Sequence, residues 1–256
     1  MVKDKERSVD DQAAGLRRLF HRRPNQVVAF AGGRPGSGLT SLLTQTAVAL
    51  AEGGQRVLVI DENEGPGSAF ASLGAQPQGD LWQSLTGQKA LERMIVSIGH
   101  NLWAVSGAGA AARLNQDSDI IREKLGLLME PMRKGSDYIL IDSRLSPREP
   151  LSVLSSTAYH MVVVVGAETS AIRDAYALIK RLVQERGREG FQVVITRPKS
   201  MEEAQRVFDN LKRTAGAHLG VRLHLLAVVR IPTAENIAEA LYGKLPLPPP
   251  SAGPVV

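Results

Sequence analysis

Short apolar runs recur along the chain, each followed by a polar or glycine-rich turn and then by a stretch of helical character. The runs read VVAFA at 27–31, VLVID at 57–61, YILID at 138–142, MVVVV at 161–165, FQVVIT at 191–196 and LHLLAVV at 223–229. Most are near-continuously apolar rather than alternating, the pattern of strands buried on both faces. This predicts strands over 26–31, 56–61, 94–98, 102–105, 138–143, 160–165, 191–196 and 223–229. Helices are predicted over 40–52, 116–134, 171–186, 201–215 and 234–242, with Gly53-Gly54 stopping the first of them. Strands alternating with helices imply an α/β fold, a mostly parallel sheet with helices on both faces. Residues 61–67 read as a loop, and a less regular region follows it up to the strand over 94–98.

Length and composition bound the organisation. The chain has 256 residues, 43% of them hydrophobic and 4% aromatic, which suits one α/β domain over 26–243 with a tail at each end. Residues 244–256 are proline-rich and are expected to be disordered. Residues 1–25 form an N-terminal tail in which 10–20 carries an Asp N-cap and an apolar stripe of Ala13, Leu16 and Phe20. So short a helix is marginal in water; it either orders on a partner or packs back on its own domain. The net charge of +5 gathers largely in the first two dozen residues. That excess suits an acidic protein face, nucleic acid or acidic lipid, or is simply a solvated tail. There is no cysteine, which removes disulfides and thiolate metal sites and fits a reducing, cytoplasmic setting. No apolar run approaches the ~18 residues of a membrane span, and the charged N-terminus does not read as a signal peptide.

The chemistry gathers at the first turn. Gly33-Arg34-Pro35-Gly36-Ser37-Gly38-Leu39-Thr40 follows a buried strand and opens a helix, the layout of a phosphate-binding loop, G-x-x-x-x-G-K-[ST]. The glycines and the hydroxyl are present; Leu39 stands where the lysine belongs. Candidate nucleotide-binding residues are therefore Gly33, Arg34, Gly36, Ser37, Gly38, Leu39, Thr40, Ser41, Asp61 and Asp142. Thr40 and Asp142 are the metal-holding pair, a hydroxyl and a strand-end acid. Pro35 removes one backbone N–H from the cradle. Arg34, Arg144 and Arg197 are candidate replacement cations, and the alternative is an inherited turn that binds nothing or an inorganic anion. Trp82 and Trp103 read as packing residues. The five histidines have no metal-ligand spacing, and no Ser-His-Asp or paired-carboxylate pattern stands out.

These residues resemble the MinD/ParA class of deviant Walker-A ATPases, whose loop reads K-G-G-x-G-K-[TS] and whose second strand ends in D-x-D. Within it the chain is similar to the flagellar-number regulators FlhG/FleN, on 11-DQAAGLR-17, 168-ETSAIRDAYALIKRL-182, 202-EEAQRVFDNLKR-213 and 231-IPTAENIAEAL-241. The resemblance implies ATP or ADP with Mg²⁺ as cofactors, a nucleotide-dependent homodimer, and as partners an FlhF-like GTPase, a flagellar transcriptional activator and components of the flagellar C-ring or base. It also implies that Gln12, in the N-terminal motif, acts in trans on the GTPase by orienting water. The departures are Arg34 at the signature lysine, Pro35 at a glycine, Leu39 at the phosphate-binding lysine and Asn63 at the second acid of D-x-D. The family's C-terminal amphipathic membrane helix has no counterpart, so membrane binding is not expected. The reading is a cytoplasmic regulator of flagellar number or placement with a weak or inactive nucleotide site and little or no ATP hydrolysis. The alternatives are a working atypical ATPase and a ParA-like scaffold for another polar machine.

Overall fold

A computed structural model describes residues 25–33, 37–114, 119–144, 150–230 and 235–245. Gln12 and the rest of the N-terminal segment, Arg34, Pro35 and Gly36 of the loop, and 246–256 lie outside the described residues. Eight strands form one sheet: β1 Gln26–Gly32, β2 Val57–Asp61, β3 Val96–Gly99, β4 Leu102–Ser106, β5 Tyr138–Asp142, β6 His160–Gly166, β7 Gly190–Thr196 and β8 Arg222–Val229. Their order is β3-β4-β2-β5-β1-β6-β7-β8. Every neighbouring pair is parallel except β3 with β4. Only a short turn, His100-Asn101, joins those two, and a turn that short returns the chain antiparallel.

The helices are α1 Leu39–Glu52, α2 Ala69–Ser72, α3 Leu81–Leu85, α4 Ala108–Arg113, α5 Asp119–Gly135, α6 Val153–Ser156, α7 Thr169–Arg186, α8 Met201–Leu219 and α9 Glu235–Lys244. They cover both faces. One apolar cluster packs Ala29, Ile60, Ile139, Val163 and Val193 against Met129, Ile179 and Leu211. The other packs Val28, Val59, Leu140 and Val162 against Leu43, Ala47 and Leu241. Consecutive strand residues thus face opposite cores, which is why the strands read as unbroken apolar runs.

Three boundaries differ from expectation for local reasons. Helix α8 continues past Ala215 to Leu219, because Gly216 is carried inside it and the stop is Gly220 at φ 68, a left-handed residue that glycine adopts freely. Residues 68–93, the less regular region, consist of short elements joined by turns. They hold α2, capped by Ser68, and α3, capped by Asp80, both too short for an apolar period to show. Helix α9 runs through Lys244, and Leu245 is buried against the second cluster, so folded structure continues past 243.

Candidate functional site

Parallel registers align the carboxyl ends of the central strands. Asp142 pairs with Asp61 on one side and with Phe30 on the other, so both acids sit at one sheet edge beside the turn after β1. Open α/β sheets place ligands at such an edge. Gly38, at φ 80, opens α1. At Gly33 a Cβ would come within 2.7 Å of the Asp174 carbonyl carbon, so only glycine lets the loop lie this close to α7.

Leu39 is buried in the apolar cluster that contains Phe30, Leu42 and Leu43. A Cβ on Gly32 would meet its Cδ1 at 3.3 Å, so the leucine lies against the loop's own backbone. Thr40 Oγ1 donates to Asp142 Oδ2 at 2.8 Å. Asp142 is fully buried, and its Oδ1 has no hydrogen-bond partner among the described residues. Ser37 is half-buried and lines a small cleft with Gly33, Gly166, Glu168, Asp174 and Arg197. Ser41 is exposed on the first turn of α1.

Asp61 faces the chain that follows it. Its Oδ1 accepts from the Asn63 N–H and its Oδ2 from the Phe70 N–H, both at 2.9 Å. Asn63 Nδ2 in turn donates to the Asp142 carbonyl oxygen at 3.1 Å. Of the candidate cations, Arg197 lines the cleft beside the loop with φ 55, a left-handed geometry uncommon outside glycine. Arg144 is placed by its backbone N–H, which donates to Glu62 Oε2 at 2.9 Å. Sequence reasoning missed Glu62 altogether. Its partners Ser152 and Ser155 lie 90 and 93 residues away, and no spacing rule connects them to it.

Three acids crowd this edge. Burial pushes Asp142 up to about 7; the negative charge of Asp61 adds to the shift and the Thr40 hydrogen bond opposes it. Burial likewise pushes Glu62 up to about 7 against the hydroxyls of Ser152 and Ser155. Asp61 is raised by burial, against the N–H groups of Phe70 and Asn63. Since unfolded carboxyls titrate near ~4, the folded state keeps protons that the unfolded chain releases between about pH 4 and 7. Stability therefore falls as pH rises through that window and levels off above it. Urea unfolding at pH 5 and pH 8 is expected to show a loss of up to about 3 kcal/mol for each of Asp142 and Glu62. Asp142→Asn is expected to flatten the slope, and an unchanged slope would contradict the assignment.

Thr40 and Asp142 fit a Mg²⁺ ion, because a buried carboxylate oxygen without a partner awaits a cation or a donor. Such an ion would supply charge neutralisation to bound phosphates. The chain holds the Thr40 hydroxyl against the buried Asp142 carboxyl at 2.8 Å. Leu39 supplies no cation.

No protein-family model matches the chain. It is similar to the antiactivator FleN of Pseudomonas aeruginosa, 26% identical over 226 residues, covering 88% of this chain and 80% of FleN. It is also similar to the flagellum site-determining protein YlxH of Helicobacter pylori, 21% identical over 79% of this chain and 68% of that protein. Among solved structures, the MinD cell division protein of Aquifex aeolicus superposes with a TM-score of 0.63 at 23% identity, over 87% of this chain and 99% of MinD. MinD of Pyrococcus horikoshii, complexed with Mg-ADP, superposes with a TM-score of 0.56 at 20% identity, over 84% and 86%. The chain thus has the fold of the MinD and ParA proteins, and FleN and YlxH are among the proteins its sequence resembles.

Proposed function

We propose that this chain is a FleN-like regulator of flagellar number or placement that acts through protein contacts and has a degenerate nucleotide site. The observation that carries the second half is Leu39: the position that should meet phosphate charge is packed into an apolar cluster. A missing charge-assisted contact weakens binding by about 1.5–3 kcal/mol. Similarity to FleN over most of both chains supports the first half. In this reading residues 1–25 bind the partner and 26–245 form the P-loop domain. The partners are an FlhF-like GTPase, met by the N-terminal motif with Gln12, and a flagellar transcriptional activator or base components, met by the domain surface. The setting is the cytoplasm; no helix among the described residues is long and apolar enough to cross a membrane.

The test is the GTPase rate of the cognate FlhF with added protein. Wild type is expected to stimulate turnover, and Gln12→Ala to lose most of that stimulation. No stimulation by folded wild type would remove this partner.

A second reading, a working atypical ATPase, is favoured by the Thr40–Asp142 pair and by Arg197 beside the loop. Mg-ADP in a MinD neighbour supports nucleotide and Mg²⁺ as the class's ligands. Tight ATP–Mg²⁺ binding with turnover, abolished by Thr40→Ala or Asp142→Ala, would favour this reading over the first.

A further inference from the structure

Glu62 follows Asp61 at the same strand end, is fully buried, and has three donors converging on it. Oε1 accepts from Ser152 Oγ at 2.5 Å and Ser155 Oγ at 2.8 Å, while Oε2 accepts from the Arg144 N–H at 2.9 Å. With Glu62 ionised the hydroxyl protons can be assigned, since each serine has one. Ser152 gives its proton to Glu62 and accepts from the Ser155 N–H at 2.8 Å. Ser155 also gives its proton to Glu62, so the 2.7 Å contact between Ser143 Oγ and Ser155 Oγ must be donated by Ser143. Two main-chain links run alongside: the Glu62 N–H and Asn63 Nδ2 both donate to the Asp142 carbonyl oxygen, at 3.1 Å.

We infer that Glu62 is a latch, a positioning residue that fastens the chain after β2 to the chain after β5 and to the Ser152–Ser155 turn in a single conformation, whether or not a ligand is bound. In P-loop proteins that respond to nucleotide, the segments at these two strand ends are held loosely and become ordered by phosphate and metal. Here their roots are joined by a fully buried carboxyl group with three hydrogen-bond partners, and a buried polar group is costly to separate from its partners. The orphaned oxygen at this edge belongs to Asp142; every described donor around Glu62 is committed. The latch does not depend on the flagellar reading, because it concerns how the two acid-bearing strand ends are held and not what the surface contacts.

The test is amide hydrogen exchange on the full chain, read over 138–144 and 150–158 with and without ATP–Mg²⁺. Wild-type protection in both stretches is expected to be indifferent to nucleotide. Glu62→Gln and Ser155→Ala should each lower it about tenfold while β6, β7 and β8 keep theirs. The double variant should open little further than the worse single variant, because both changes break one network. Additive effects would overturn the latch, since two independent packing defects would sum. Wild-type segments that gain protection on adding ATP–Mg²⁺ would overturn it too. Should Glu62→Gln not fold, Ser155→Ala alone still decides: unchanged protection refutes the inference.

Discussion

Asp80→Ala is expected to destabilise the fold by about 3–4 kcal/mol, read as a lowered urea midpoint with unchanged slope. Four donors meet this carboxylate. Oδ1 accepts from the N–H groups of Trp82 and Ala110, and Oδ2 from the Gly109 N–H and Ser106 Oγ, all at 2.8–2.9 Å. It caps α3 from one side, with Gln83 Oε1 returning to the Asp80 N–H at 3.1 Å, and satisfies the first turn of α4 from the other. A lost cap costs about 1 kcal/mol, and each bond to a charged group about 1.5–3. Asp80 is half-buried, so water takes over part of the loss and the sum stays at the low end. Asp80→Asn, which keeps the shape and one acceptor oxygen, should cost about half as much. The effect reaches the site, because the Gly107 N–H at the root of α4 donates to the Asp61 carbonyl oxygen. A loss under about 1 kcal/mol for the alanine variant would mean that the four bonds are replaced by water.

Asp80 also marks where the sequence stops being informative. The strands were legible because each is buried on both faces, and VLVID or MVVVV can hardly be anything else between polar turns. The long amphipathic helices α5, α7 and α8 were legible for the corresponding reason. The loop from Gly33 to Thr40 announced itself by glycine spacing, and Leu39 was visible as a departure. Other features depend on contacts between distant residues. Asp80 joins Ser106, Gly109 and Ala110, and Glu62 joins Ser152 and Ser155. Nothing local distinguishes these acids from solvated ones. Asp61 is instructive in another way. Its position was predicted, but its two oxygens are taken by the N–H groups of Asn63 and Phe70, so the strand-end acid organises the next loop.

Leu39→Lys is expected to strengthen ATP–Mg²⁺ binding about ten- to a hundredfold by calorimetry, from one restored charge-assisted contact to phosphate. The cost falls on the fold. Removing Leu39 from its cluster with Phe30, Leu42 and Leu43 forfeits up to about 2 kcal/mol of burial. Lysine recovers part of this by laying its methylenes along the same apolar surface. The variant should therefore bind better and melt a few degrees lower without ligand, about 2–4 °C per kcal/mol at this size. Unchanged affinity would locate the defect in the backbone of the loop, where Pro35 removes a donor, and not in the lost charge. Turnover is not expected to follow affinity. The second acid of D-x-D is Asn63, whose amide donates to the Asp142 carbonyl oxygen. An aspartate there would set a carboxylate against that oxygen beside Asp61 and Asp142, which already repel one another. Restoring the acid would cost stability in a way that restoring the lysine does not, so the two departures from the class are physically unequal.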